Sequence, residues 1–164
     1  MIIGIPREIK SDENRVAITP AGVHEFVQRG HSVIIEKGAG VGSGIADSDF
    51  SAEGARIVPL ARDVYSNAEM VMKVKEPQPV EIDMLHPEQV IYAYLHLAPD
   101  REQTAGLVAK KVVAVAYETI CMDGKLICLE PMSEIAGKMS AIMGAFYLSK
   151  PYGGKGVLAG GGAG

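Results

Sequence analysis

Two apolar runs, Met70–Val74 and Val90–Leu95, constrain this chain more than any other stretch. Each is too short for a helix of ordinary length and is bounded by polar residues or proline. That is the pattern of a strand buried on both faces of a parallel sheet. Between the runs, Glu76-Pro77-Gln78-Pro79 interrupts regular structure, because each proline disfavours helix in the residue before it. Lys75 follows the first run and His96 ends the YLH at the close of the second. In an open α/β sheet ligands bind outside the carboxyl ends of the strands. If these strands are parallel neighbours, Lys75 and His96 meet at one edge.

The remaining segments fit around this pair. Met1–Ile5 reads as a strand. Residues 6–19 (PREIKSDENRVAIT) have no periodicity, and a connection that long is usually functional or disordered; it carries Arg7, Lys10, Asp12, Glu13, Asn14 and Arg15. Thr19-Pro20 opens a helix, with Thr as N-cap and Pro in the first turn. Val23, Phe26 and Val27 form its inner face, and Gly30 closes it. His31–Glu36 is the next strand. Asp49–Ala55, capped by Asp47, Leu60–Ala68, Val80–Leu85 and Pro99–Lys110 read as helices, the last with Pro99 near its first position. Arg56–Val58 and Val112–Tyr117 read as strands, Glu118 standing at the end of the second. The order β-α-β-α-β-α-β-α-β-α-β is that of a doubly wound, mostly parallel sheet. A small hairpin at Asp123-Gly124 and a long helix from Met132 to Ser149 complete this α/β fold. The helix has apolar positions at Ile135, Met139, Ile142, Met143, Phe146 and Tyr147, and small residues that allow close approach by another element.

Gly38–Gly44 (GAGVGSG) follows a strand and invites a nucleotide reading. The dinucleotide fingerprint needs glycines at positions one, three and six and an immediate helix; here the glycines stand at 38, 40, 42 and 44. A flexible or tightly turned loop is therefore the expectation, with phosphate cradling as the alternative. His24 and His31 lack any partner pattern.

A chain of 164 residues can bury about two-thirds of its unfolded surface as one domain, or one and a fragment. The net charge of −4, with both signs dispersed, argues against a nucleic-acid surface. The four His form no metal-like spacing, so no metal site is expected. No apolar stretch approaches a membrane span and no leader pattern opens the chain, which gives the expectation of a cytoplasmic protein. In that compartment Cys121 and Cys128 are expected to be buried free thiols. A two-residue hairpin loop would set Cys121 opposite Leu126 and Cys128 opposite Thr119.

The chemistry follows from residue types. Arginine offers a planar fork suited to a carboxylate. Lysine polarises a carbonyl oxygen or balances a second negative charge, and histidine moves protons near neutral pH. Together they describe a pocket for a small 2-oxo acid: Arg15 on the carboxylate, Lys75 on the carboxylate or carbonyl, His96 as proton donor or hydrogen-bond partner.

The stretches MIIGIPREIKSDENRVAITPAGV, RGHSVIIEKGAGVGSGI, VMKVKEP, YLHLA, AYETI and EPMSEIAGKMSA resemble the bacterial alanine dehydrogenases. These share a superfamily with the nicotinamide nucleotide transhydrogenases. The likeness covers about residues 1–158. It implies reversible, NAD-dependent oxidative deamination of L-alanine to pyruvate and ammonia by a homohexamer. By the same resemblance Arg15 and Lys75 bind substrate, His96 with Lys75 is catalytic, and Ser133 lies beside the cofactor. Transhydrogenase is the nearer rival; its corresponding domain resembles the ENRVA and GAG stretches but typically lacks the KVKEP and YLHLA wording and serves a membrane-embedded proton pump. A binding or oligomerisation module without chemistry, assembled through the helix from Met132 to Ser149, is a third reading.

Family chains are more than twice this long and continue into a dinucleotide-binding domain. The resemblance thus implies a substrate domain over residues 1–130, a packing helix over 131–150, and a Gly-rich tail over 151–164 where the NAD-binding domain would begin. The chain by itself is expected to fold, to bind pyruvate weakly, to carry an apolar patch that drives self-association, and not to turn over.

Overall fold

A computed structural model describes residues 1–158 of the chain. The glycine-rich residues 159–164, to which part of the expected tail belongs, lie outside the described residues. The chain divides into two compact units, Met1–Tyr117 and the residues from Glu118 onward.

The first unit alternates strands and helices without interruption: β1 (Ile2–Ile5), α1 (Pro20–Gln28), β2 (Ser32–Glu36), α2 (Asp47–Ala52), β3 (Arg56–Val58), α3 (Ala61–Asn67), β4 (Met70–Met72), α4 (Pro79–Met84), β5 (Val90–Ala93), α5 (Arg101–Lys110) and β6 (Val113–Ala116). Its strands form one six-stranded sheet in the order β3-β2-β1-β4-β5-β6, every pairing parallel. β4 and β5 are neighbours, with Met70, Val71 and Met72 opposite Val90, Ile91 and Tyr92. The doubly wound parallel sheet read from the sequence is thus observed.

Successive strand residues point to opposite faces, and the two faces feed two cores. Ile3, Ile5, Val33, Ile35 and Met72 pack with Val23 and Phe50 of α1 and α2. Ile34, Val71, Ile91 and Ala93 pack with Tyr65, Ile82 and Leu107 of α3, α4 and α5. Burial on both faces is why these strands read as continuous apolar runs rather than as alternation.

Helix boundaries follow local chemistry. The Gly22 N–H donates to Thr19 Oγ1 at 3.3 Å, Pro20 occupies the first turn, and Gly30 ends α1 at φ 79°. Two caps differ from expectation. Asp47 does not cap α2; it lies inside the first turn and accepts the Gly38 N–H at 2.9 Å, while Asp49 reaches back to the Ala46 N–H. Pro99 precedes α5, whose N-cap is Asp100, its carboxylate accepting the Gln103 N–H at 2.9 Å. In both places a carboxylate supplies the acceptor that the first turn lacks.

The second unit contains the hairpin β7 (Cys121–Met122) and β8 (Lys125–Leu126), then α6 (Glu130–Leu148). Asp123 and Gly124 both adopt positive φ, the mirror-image turn that matches strand twist. Cys121 stands opposite Leu126, as the loop length required. The thiols correct one expectation: neither is buried, Cys121 being exposed and Cys128 intermediate, and neither is in a disulfide. A two-stranded hairpin has one layer and no second sheet to cover its side chains. Along α6, Ile135, Met139, Ile142, Met143 and Phe146 are exposed, and Phe146 stacks on Tyr152 at 3.8 Å.

Because Ile91 lies between β4 and β6 and is fully buried, Ile91→Ala should cost about 2–5 kcal/mol of stability. Val108→Ala, at a position 72% exposed on α5, should change stability by no more than about 0.5 kcal/mol. Urea unfolding of the two variants beside the parent measures both.

Candidate functional site

The strand order reverses direction between β1 and β4. Chain segments leave the carboxyl ends of these two strands toward opposite sides, which opens a crevice where ligands bind in sheets of this kind. The segment leaving β1 is the long stretch of residues 6–19, and the segment leaving β4 runs through Lys73, Val74 and Lys75 into the Pro77 and Pro79 break.

Lys75 and His96 do come together. They line one cavity of about 410 Å³, with Lys10, Glu76, Asp100 and Gln103 around them. The Lys73 N–H donates to the Tyr92 carbonyl and the Tyr94 N–H to the Val74 carbonyl, so pairing continues past both strands up to these residues. His96 has φ 48°, the left-handed region in which His is tolerated better than most side chains. Lys10 and Glu76 form an ion pair that ties the residue 6–19 segment to the end of β4.

Arg15 lines a neighbouring cavity of about 290 Å³, together with Arg7, Glu13, Asn14 and the glycine loop. Its guanidinium is gripped by Glu13: Nε to Oε1 at 2.8 Å and Nη2 to Oε2 at 2.5 Å, with the Arg15 backbone N–H also on Oε1 at 2.8 Å. The hydrogen bond from Arg15 holds the Glu13 carboxyl below its ordinary value, and the positive charge of Lys75 acts in the same direction. The Glu13 hydrogen bond in turn raises Arg15, and the Tyr94 and Tyr117 phenols reinforce it. Arg15 and Lys75 therefore belong to one electrostatic neighbourhood although they line separate cavities.

Under this surface lies a charge cluster that the sequence reading missed. Lys73 is 1% exposed, and its ammonium donates to Glu81 Oε1 at 2.7 Å and Glu8 Oε2 at 3.0 Å. The second Glu8 oxygen accepts the Val74 N–H, the second Glu81 oxygen accepts the Gln78 N–H, and the Tyr65 hydroxyl donates to Glu81. Desolvation pushes Glu8 above its ordinary value of 4.5 despite Lys73, and pushes the Tyr65 phenol up as well. Tyr117 closes the top: its hydroxyl lies 2.9 Å from the Lys73 carbonyl and 3.1 Å from that of Val74, while its ring packs on Tyr92 and Tyr94. One signal was available in the sequence. Met70–Val74 is not wholly apolar, and a lysine inside a strand buried on both faces must be paired.

The glycine loop is tightly turned and serves the same crevice. A side chain at Gly42 would lie 2.6 Å from the Asn14 carbonyl oxygen and 3.0 Å from its Cα. Ser43 Oγ donates to that carbonyl at 3.0 Å. The loop thus clasps the backbone immediately before Arg15. Gly40 is similarly backed by Ile45 and Phe50, so at both glycines the space of a side chain is taken by neighbouring protein.

Ser133 stands in the first turns of α6, in the other unit, and its backbone N–H donates to the Leu129 carbonyl. Among the described residues, no group of three or more His, Cys, Asp or Glu side chains is arranged to hold a metal ion. No helix among them is long and apolar enough to cross a membrane. His24 pairs with Glu53 and His31 packs on Phe26, both away from the crevice.

Residues 4–136 match the family described as alanine dehydrogenase/PNT, N-terminal domain. An alanine dehydrogenase of Methanococcus maripaludis is 54% identical over 162 residues, covering 98% of this chain and 43% of the relative. A solved L-alanine dehydrogenase superposes with a TM-score of 0.90 at 47% identity, covering 99% of this chain and 45% of the other. A transhydrogenase from Sinorhizobium meliloti gives 0.78 at 26% identity, covering 90% and 43%. The chain thus spans less than half the length of these proteins.

Removing the cation from the buried cluster leaves two carboxylates without a counter-charge, so Lys73→Ala should lose about 3–5 kcal/mol in urea unfolding. Glu8 tests the cluster through pH. Its folded value lies above 4.5, so between the two values the folded chain binds more protons than the unfolded chain. Stability from this group therefore falls as pH rises. The stability of the parent minus that of Glu8→Gln should decrease as the pH of urea titrations is raised above 4.5.

Proposed function

We propose, from the premise that this chain belongs to the alanine dehydrogenase/PNT N-terminal domain family, that it is the substrate-binding part of an NAD-dependent alanine dehydrogenase. The reaction is the reversible oxidative deamination of L-alanine to pyruvate and ammonia. One observation carries the reading: Lys75 and His96 leave neighbouring parallel strands and line one cavity beside the crevice that Arg15's segment enters. Identity of 47–54% to alanine dehydrogenases, against 26% to a transhydrogenase, favours this activity over the rival in the superfamily.

In this reading Arg15 takes the substrate carboxylate with its planar fork. Lys75 donates to the carboxylate or to the keto oxygen and offsets the negative charge that develops there. His96 exchanges a proton with the substrate oxygen or nitrogen near neutral pH. The Lys73 cluster acts on none of these atoms. It holds the backbone from which Lys75 projects, so that the ammonium meets the substrate without reorganising.

When bound, NAD would supply the hydride acceptor, and by family resemblance Ser133 would lie beside it. Gly40 and Gly42 of the glycine loop are backed by Ile45, Phe50 and Asn14. The proposal assigns substrate binding to residues 1–130, a connecting helix to 131–150, and the approach to a nucleotide-binding domain to 151–164. A homohexamer and a cytoplasmic location belong to the same proposal on the strength of family resemblance.

Titrating pyruvate into the purified chain, followed by protein NMR, tests this reading. Saturable shifts at residues around Lys75 and His96 are expected. Arg15→Ala and Lys75→Ala should each weaken binding by about tenfold or more, the loss of one charged hydrogen bond. A folded chain whose spectrum pyruvate leaves unchanged would overturn the proposal.

A further inference from the structure

We propose that Gln103 is the positioning residue of His96, holding together with Thr104 the turn that places the imidazole at the cavity it shares with Lys75. The inference rests on the 2-oxo acid reading above, in which His96 meets the substrate, and adds to it the residues that keep His96 in place.

His96 has φ 48°, the one positive value between β5 and α5. That region is disfavoured for residues with a Cβ, and a side-chain-bearing residue persists there where its surroundings impose the conformation. The imposing groups stand on both sides of His96 and come from adjacent positions at the start of α5. The Gln103 carboxamide donates to the Leu95 carbonyl at 2.7 Å. The Thr104 hydroxyl lies 3.1 Å from the Leu97 carbonyl and 2.8 Å from that of Asp100, shared between the two. The Asp100 N–H donates to the Leu97 carbonyl as well, at 3.2 Å. The chain is thus held at the residue before His96 and at the residue after it.

Gln103 is a firm anchor. It is 5% exposed and Leu95 is fully buried, so the carboxamide and the carbonyl it meets find their partners in protein rather than in water. A carbonyl only accepts, which fixes the orientation of the amide with its nitrogen toward Leu95. The backbone of Gln103 is itself tied down, its N–H held by the Asp100 carboxylate at 2.9 Å. One turn further on, Leu107 packs into the core with Ile91 and Ala93 of β5. His96 is exposed, and any shift of its backbone carries the imidazole with it. Gln103 also lines the cavity that His96 and Lys75 line, so the support stands beside the site it serves. Satisfying a buried carboxamide needs some acceptor; here the acceptor adjoins the residue whose conformation most needs holding.

The test uses NMR of the purified chain and of three variants: Gln103→Met, which keeps the length and removes the donor, and Thr104→Val and Thr104→Ser, which remove and keep the hydroxyl. Scalar couplings and carbon shifts of His96 report its positive φ without ligand, and titration gives the pyruvate affinity. Gln103→Met should move His96 out of the left-handed region in part of the population and weaken pyruvate about threefold to tenfold, as the competent fraction falls. Thr104→Val should act in the same direction by less, and Thr104→Ser should match the parent. Val23→Ala, in the core on the opposite face of the sheet, controls for lost stability and should leave both readouts as in the parent. If Gln103→Met fails to fold, the two Thr104 variants decide. An unchanged φ at His96 in the folded variants, an unchanged pyruvate affinity once φ has moved, or the same losses in Val23→Ala would overturn the assignment and leave the 2-oxo acid reading intact. A parent that binds no pyruvate would remove that reading, and with it the role given to Gln103.

Discussion

The ammonium of Lys73 is the point on which the architecture of the crevice turns. It lies at the carboxyl end of β4, out of solvent, between Glu8 of the segment after β1 and Glu81 of α4. A buried lysine is tolerated only when its charge and its donors are answered, and each answering group comes from a different part of the chain. The oxygens of Glu8 and Glu81 not held by Lys73 are spent on the Val74 and Gln78 N–H groups, so the ion cluster also satisfies backbone that no strand or helix pairs. Contact between the segment after β1 and the end of β4 is thereby a consequence of electrostatics as much as of packing.

That contact sits where the sheet topology needs it. A doubly wound sheet leaves a crevice between β1 and β4 simply because its crossovers run both ways from that point. The crevice has no chemistry until something lines it. Here the long connection after β1 lies over it, pinned from below by Glu8 on Lys73, at one side by Lys10 on Glu76, and at the other by Asn14 under the glycine loop. Three attachments, two ion pairs and one hydrogen bond, make an irregular segment a precise one, with Arg15 presented from it.

Much of this was legible in the residues. Strand identity at Met70–Met72 and Val90–Ala93 followed from short apolar runs, the start of α1 from Thr19-Pro20, and the register of the hairpin from Asp123-Gly124. Lys75 and His96 followed as strand-end residues. Other readings failed where a side chain chose a distant partner over a local one. Asp47 looked like a cap yet binds Gly38, because the turn of the glycine loop left that N–H needing an acceptor. Lys73 passed as part of an apolar run, because nothing adjacent in sequence announces that Glu8 and Glu81 will converge on it. Glu13 stood in plain view two residues from Arg15, but nothing local announces that its carboxylate takes three hydrogen bonds from that one residue.

What the sequence by itself determined is the succession of elements, their parallel pairing, and the set of charged residues near the strand ends. Those depend on periodicity and on local rules for turns and caps, which act over a few residues. Only the tertiary structure decided which charge answers which. Glu8 and Lys73 meet across 65 positions of chain, and whether a carboxylate is a ligand for substrate, a counter-ion in the core or a cap depends on its burial and on the groups facing it. Electrostatic energy is set by distance through space and by the surrounding dielectric, neither of which is written in the order of residues.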